Sequence, residues 1–191
     1  MQKIILGLVG DLAAGKGTIA RYLHKKYGAR SYKFSTMLRN ILDRIYVEKT
    51  RENLQSISTF VRENYGQDVM SKVIARDVEN DTNQIVVVDG IRRPTDITYL
   101  QELEGFHLIY ITADQHIRWK RLVKRNENPG DDTKTFEQFC HNEQAEAESL
   151  IQKLGEQAEI KIDNNGDIKK LYDTIEEVIH RYTNVANLPI C

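Results

Sequence analysis

Gly10-Asp11-Leu12-Ala13-Ala14-Gly15-Lys16-Gly17-Thr18 constrains this chain more than any other stretch, because of what lies on either side of it. Before it runs Lys3-Ile4-Ile5-Leu6-Gly7-Leu8-Val9, an apolar run that reads as a buried strand. After it comes Ile19-Ala20-Arg21-Tyr22-Leu23-His24-Lys25-Lys26, which reads as a helix. Strand, glycine-rich turn and helix form the context a phosphate-binding loop requires. Glycines let backbone N–H groups turn inward around phosphate oxygens, and the helix N-terminus adds its own unpaired N–H groups. The fit to G-x-x-x-x-G-K-[ST] is loose, since Gly17 separates Lys16 from Thr18. On this reading Gly10, Ala13, Ala14, Gly15, Lys16, Gly17, Thr18 and Ile19 hold the phosphates of a nucleotide. Lys16 reaches the terminal phosphates and the Thr18 hydroxyl takes a place on Mg²⁺.

Further along, Gln84-Ile85-Val86-Val87-Val88-Asp89 is the strongest strand signal. A run of β-branched apolar residues without alternation predicts an interior strand of a parallel sheet, buried on both faces. Weaker strands are expected over 29–34, 106–111 and 159–163, the last at an edge. Helices are expected from Ser35 or Thr36 to Tyr46, over 54–65 and 68–79, from Pro94 to about Glu104, over 115–125, and from Phe136 to Leu154. A last helix carries Ile168, Leu171, Ile175, Val178 and Ile179, and residues 184–191 read as a tail. Strands alternating with helices predict an α/β fold whose mostly parallel sheet is covered on both sides. At 191 residues, one domain is expected.

Composition narrows the classes. The net charge of −1 argues against nucleic acid and anionic membranes as partners, and no apolar run approaches the length of a membrane span. Cys140 and Cys191 are far apart and suit a reducing compartment, so a cytoplasmic location is the expectation. No Cys/His cluster has zinc spacing, and Asn-Lys-x-Asp is absent.

Acids and arginines supply the remaining candidates. Asp89 closes the apolar strand, where ligands of open α/β sheets gather, and can hold Mg²⁺ or serve the turn before Gly90. Asp11, inside the loop, is a second acid that can act as a base, a metal partner or a turn residue. Arg39, Arg92, Arg93, Arg118, Arg121 and Arg125 form a set suited to gripping polyphosphate, since the guanidinium fork matches phosphate oxygens and stays charged.

With these residues placed, the sequence resembles the nucleoside monophosphate kinase group, in which adenylate kinase and dephospho-CoA kinase are relatives. Gly15-Lys16-Gly17-Thr18 is similar to the Gly-Lys-Gly-Thr of adenylate kinases, although Leu12 stands where those loops usually carry proline. Ser35-Thr36-Met37-Leu38-Arg39 resembles the family's Ser-Thr-Gly-Asp-Met-Leu-Arg, shortened by the Gly-Asp pair, and implies that Arg39 contacts the acceptor. Val88-Asp89-Gly90-Ile91-Arg92-Arg93 resembles Asp-Gly-Phe-Pro-Arg, which matches Arg93 to an arginine bridging donor and acceptor phosphates. A set of small archaeal and bacterial P-loop kinase-like proteins with Asp-Gly-Val/Ile-Arg matches Arg92 instead, and the choice stays open. Arg121-Leu122-Val123-Lys124-Arg125 is similar to the Arg-x-x-x-Arg at the start of a kinase lid, here short and followed by a polar helix, as in dephospho-CoA kinase.

The resemblance implies a P-loop NTPase fold with a five-stranded parallel sheet in the order 2-3-1-4-5. It implies one kinase domain over 1–191, an acceptor-binding helical segment over about 35–80 and a lid over about 121–136. It also implies ATP and Mg²⁺, with Lys16, Arg92 or Arg93, Arg121, Arg125 and Asp11 around the transferring phosphoryl group, and Arg39, Asp89 and the 92–93 arginines at the acceptor. The acceptor would be a nucleoside or deoxynucleoside monophosphate. The alternatives are dephospho-CoA, with Asp11 as base, and a regulatory ATPase that serves a protein partner. Oligomeric state is left open.

Overall fold

Ile85, Val86, Val87 and Val88 are all buried, and the strand they form, β3 (Ile85–Asp89), lies inside a five-stranded parallel sheet. The computed structural model describes residues 2–126, 130–144 and 148–185. The sheet order is β2 (Arg30–Lys33), β3, β1 (Ile4–Val9), β4 (Phe106–Thr112) and β5 (Ile160–Asp163), as the resemblance implied. β1 is central. It pairs with β3 through Ile4 to Ile85 and Leu8 to Asp89, and with β4 through Ile5 to Phe106 and Val9 to Tyr110.

Successive strand residues face opposite sides of a sheet, and both faces of this one are apolar. Leu6, Leu8, Val87, Ile109 and Ile111 pack under helices α1 (Lys16–Tyr27) and α8 (Ile168–Val185). Ile5, Val9, Val86, Val88 and Leu108 pack on the other side against α2 (Phe34–Arg44), α4 (Val69–Asn80) and α7 (Glu148–Gln157). The remaining helices are α3 (Arg51–Tyr65), α5 (Gln115–Arg125) and α6 (Phe136–Gln144). Asp114 caps α5, its carboxylate accepting from the His116 and Ile117 amides.

Several expected boundaries move. α2 starts directly out of β2 at the buried Phe34, with no side-chain cap from Ser35 or Thr36. It ends at Arg44 because Tyr46 turns left-handed at φ 58° and the Val47 amide closes back on the Leu42 carbonyl, a helix-terminating arrangement. Ile45 and Tyr46 are therefore exposed and do not extend the apolar face. The helix expected from Pro94 is one 3₁₀ turn, Pro94–Asp96, with the Asp96 side chain accepting the amides of Arg92 and Arg93 just ahead of it. The expected long helix from Phe136 is α6 and α7, with 145–147 between them outside the described residues. Residues 127–129 of the expected lid and 186–191 of the expected tail also lie outside them.

A four-residue cluster ties the first helix to the last. Glu176 on α8 accepts from Tyr22 Oη (2.8 Å) and Tyr27 Oη (2.6 Å) on α1 and pairs with Lys26 Nζ (2.6 Å). Burial pushes the Glu176 carboxyl up, but these donors outweigh it and hold its pKa below the ordinary value. A carboxylate depressed in the folded state stabilises the fold above its unfolded pKa, and that contribution is lost as pH falls through the folded one. The melting temperature should therefore drop as pH falls below about 4. The Glu176→Gln variant should melt lower at neutral pH and show a shallower acid slope, in thermal melts recorded across that range.

Candidate functional site

β1 ends at Gly10, where the chain must turn hard against the neighbouring strand. Gly10 has φ 150°, and a Cβ there would sit 2.1 Å from the Ile111 carbonyl oxygen of β4. The loop then passes through Ala13, left-handed at φ 61°, and enters α1 at Gly15, φ 120°. A Cβ on Gly15 would lie 2.4 Å from Asn164 Nδ2, so only glycine fits this approach. Asn164, buried just beyond β5, donates from Nδ2 to the Ala14 carbonyl at 2.7 Å and braces the loop from behind.

Lys16 is the first residue of α1. Its ammonium donates to the carbonyls of Gly10 (2.6 Å) and Asp11 (2.9 Å), so the loop curls around the lysine. Burial pushes the Lys16 pKa below the ordinary value; Arg92 and Arg118 act in the same sense, while Asp89 and Asp11 oppose them. No side chain caps α1, and the Thr18 amide turns back to the Gly15 carbonyl at 3.0 Å. Thr18 stands in the same first turn, its Oγ1 3.4 Å from Arg21 Nη2.

Asp89 is the last residue of β3, level with Leu8 of β1 and Lys33 of β2. Arg92 follows three residues later and is exposed, as is Arg93, and the Arg92 charge is among those that lower the Lys16 pKa. Arg118 is buried rather than free for a ligand. It forms a close ion pair with Glu143 of α6, its Nη2 donating to Oε2 at 3.1 Å, while Nη1 reaches the Leu12 carbonyl at 3.3 Å. Asp11 Oδ2 lies 3.9 Å from Arg118 Nη2. Arg118 thus clamps α6 to the loop.

The other predicted arginines stand further out. Arg121 Nη2 donates to the Gly166 carbonyl at 3.4 Å, on the turn between β5 and α8, and Arg121 Nη1 is buried without a hydrogen-bond partner among the described residues. Burial lowers its pKa. Arg125, at the end of α5, and Arg39, on α2, are exposed. Arg118, Arg121 and Arg125 therefore share a helix but not an environment.

Sequence reasoning passed over four residues that shape the site: Asn164, Arg62, Asp96 and Glu143. Asp96 is buried and saturated. Its Oδ2 accepts the amides of Arg92 (2.9 Å) and Arg93 (3.0 Å), and its Oδ1 pairs with Arg62 Nη2 of α3 at 2.6 Å. The available signal was Arg62 itself, an arginine in step with Leu54, Ile57 and Val61 on the inward stripe of α3. A charge on such a stripe needs a buried partner.

A five-stranded parallel sheet in this order, with a glycine loop between its first strand and first helix, is the P-loop kinase-like fold. Residues 9–139, more than half of the chain, match the AAA domain family, and the chain belongs to that family. A UPF0200 protein of Pyrococcus abyssi is 28% identical over 183 residues, covering 93% of this chain and 96% of the relative. Among solved structures, shikimate kinase from Bacteroides thetaiotaomicron superposes with a TM-score of 0.59 at 13% identity, covering 97% of this chain and 99% of that one. Shikimate kinase from Acinetobacter baumannii, in complex with shikimate, gives 0.56 at 15% identity, with 94% of each chain covered. At such identities the likeness is one of fold. Among the described residues no helix is long and apolar enough to cross a membrane.

Proposed function

We propose that this protein transfers the γ-phosphoryl group of ATP to a small phosphorylated nucleotide, a nucleoside or deoxynucleoside monophosphate. The observation that carries this reading is the loop itself, which curls around Lys16 at the uncapped start of α1, with Asp89 at the carboxyl end of the neighbouring strand. Phosphoryl transfer asks little covalent chemistry of a protein, and most of the acceleration comes from positioning and from stabilising charge. The amides of Gly15 to Thr18 and Lys16 would hold the donor phosphates, while Arg92, with Arg93 beside it, would steady the charge between donor and acceptor. Arg39 would meet the acceptor, and Arg121 and Arg125 would close from the lid side. Thr18 Oγ1 and Asp89, with Asp11 as a further candidate, would hold Mg²⁺, since all offer hard oxygen donors and this ion favours one or two carboxylates completed by substrate phosphates. Bound there, Mg²⁺ would neutralise charge on those phosphates.

The test is ADP release from ATP, measured across nucleoside and deoxynucleoside monophosphates and dephospho-CoA. A monophosphate that accelerates release and appears as its diphosphate supports the proposal. Acceleration by dephospho-CoA alone would move the activity to a hydroxyl acceptor with Asp11 as base. Hydrolysis indifferent to every acceptor would favour a regulatory ATPase. With the acceptor in hand, Arg39→Ala should raise its KM by about tenfold or more and leave the KM for ATP nearly unchanged. Equal changes in both would remove Arg39 from the acceptor side.

A further inference from the structure

Arg62 is 6% exposed and Asp96 2% exposed, and their ion pair joins two parts of the chain for which the proposed function has separate uses. Arg62 belongs to α3, in the segment proposed to hold the acceptor, whereas Asp96 closes the loop that carries Arg92 and Arg93. The bonding is specific. One carboxylate oxygen faces the guanidinium, and the other takes the amides of both arginine-bearing residues. The second arm of the Arg62 fork, Nη1, donates to the Gln67 carbonyl in the turn between α3 and α4. Arg62 therefore reads the position of that turn as well as that of the loop. Its Nε is buried with no hydrogen-bond partner among the described residues, so the side chain is held by its two ends.

We infer that Arg62 and Asp96 are a positioning pair that sets the backbone from which Arg92 and Arg93 project and couples that backbone to the acceptor segment. The inference rests on the proposed phosphoryl transfer for its kinetic consequence but not for its structural one. Neither residue needs to touch substrate. The pair acts because a carboxylate can accept two amides and a guanidinium together, while an amide side chain cannot. In Asp96→Asn one of the two faces must present a donor to a donor. In Arg62→Met the carboxylate keeps its amides but loses its counter-charge inside the protein. Arg62→Lys keeps a charge but cannot reproduce the fork. A nearby contact provides a control: Ser71 Oγ of α4 accepts the Tyr99 amide at 3.1 Å, which braces the same segment beyond the arginines.

The experiment compares wild type with Asp96→Asn, Arg62→Met, Arg62→Lys and Ser71→Ala. Readouts are thermal melting, ATP binding by equilibrium titration, kcat with the acceptor identified above, and amide exchange of the 90–96 peptide by mass spectrometry. Displacement of a positioned group by about an ångström costs on the order of 100-fold, so Asp96→Asn and Arg62→Met should lose about 30-fold or more in kcat. ATP should still bind within about threefold of wild type, and Arg62→Lys should recover part of the loss. The Arg92 and Arg93 amides should exchange faster in Asp96→Asn. Ser71→Ala should melt lower yet leave the exchange of the Arg92 and Arg93 amides unchanged. An unchanged kcat in Asp96→Asn would overturn the inference, as would losses of kcat and ATP binding in one proportion across all variants. Should wild type transfer to no acceptor, the kinase reading falls while the exchange readout still decides. Unchanged exchange of those two amides in Asp96→Asn would then overturn the positioning role, and their exchange in Arg62→Lys decides it in the same way if Asp96→Asn fails to fold.

Discussion

Lys16→Ala should leave a folded protein that has lost phosphoryl transfer by about 100-fold or more. The two halves of this expectation have one origin. The Lys16 ammonium is satisfied by the Gly10 and Asp11 carbonyls of its own loop. Its pKa is pushed down by burial, which means that the site holds this charge at a cost before any phosphate arrives. Removing the side chain leaves the Gly10 and Asp11 carbonyls without this donor, and it relieves the cost of holding a buried charge, so the two effects oppose each other. The melting temperature should accordingly stay within about 4 °C of wild type. A polyphosphate ligand, by contrast, loses the cation that replaces the loop carbonyls as partner. Lys16→Arg should not rescue transfer, because a planar fork cannot occupy the space in which the loop closes on a point charge. Circular dichroism melts and the ADP-release assay decide the matter. Transfer within tenfold of wild type would remove Lys16 from the chemistry.

How far such a site can be read from sequence depends on how local its causes are. The glycine-rich turn between β1 and α1 and the strand β3 were legible because each is a continuous stretch whose own residues dictate its shape: glycines where the chain turns, β-branched residues where both faces are buried. The strand order came from resemblance, since periodicity says which residues are buried and nothing about which strand lies beside which. The breaks were harder to read. Tyr46 ends α2 in a conformation its side chain disfavours, against the apolar spacing that would have carried the helix on. The helix start at Pro94 stops after one 3₁₀ turn, and no spacing of apolar residues announces that stop. Least legible were the bonds that brace the site. Arg62 meets Asp96 across 34 residues, Arg118 meets Glu143 across 25, and Asn164 reaches Ala14 across 150. No local pattern encodes such pairs. They explain why the evenly spaced arginines of α5 diverge, with Arg118 taken up by Glu143 and Arg121 held against Gly166.

Asp89→Asn should separate a charge-dependent role from a turn-forming one, with a loss of kcat of about 50-fold or more if the charge matters. Asp89 ends β3 beside Gly90, where an aspartate or an asparagine would serve a turn equally well. The substitution keeps the size of the side chain and its capacity to accept a hydrogen bond, and it removes only the negative charge. That charge is also the largest of those that favour the protonated form of Lys16. Two effects therefore follow. The Lys16 pKa should fall further, since its leading counter-charge is gone, and the oxygen set proposed for Mg²⁺ should lose a carboxylate. The fold itself should be nearly indifferent. Relief of a partly buried carboxylate near the loop can offset the lost attraction to Lys16, so the melting temperature should move by no more than about 4 °C. The measurements are kcat against Mg²⁺ concentration for both proteins, and the rise in melting temperature that Mg²⁺ with ATP produces in each. Wild type should reach its plateau at lower Mg²⁺, and Asp89→Asn should need more of the ion and still plateau lower. Superimposed kcat curves and equal thermal shifts would assign Asp89 to the turn and leave Asp11 as the acid nearest the phosphates.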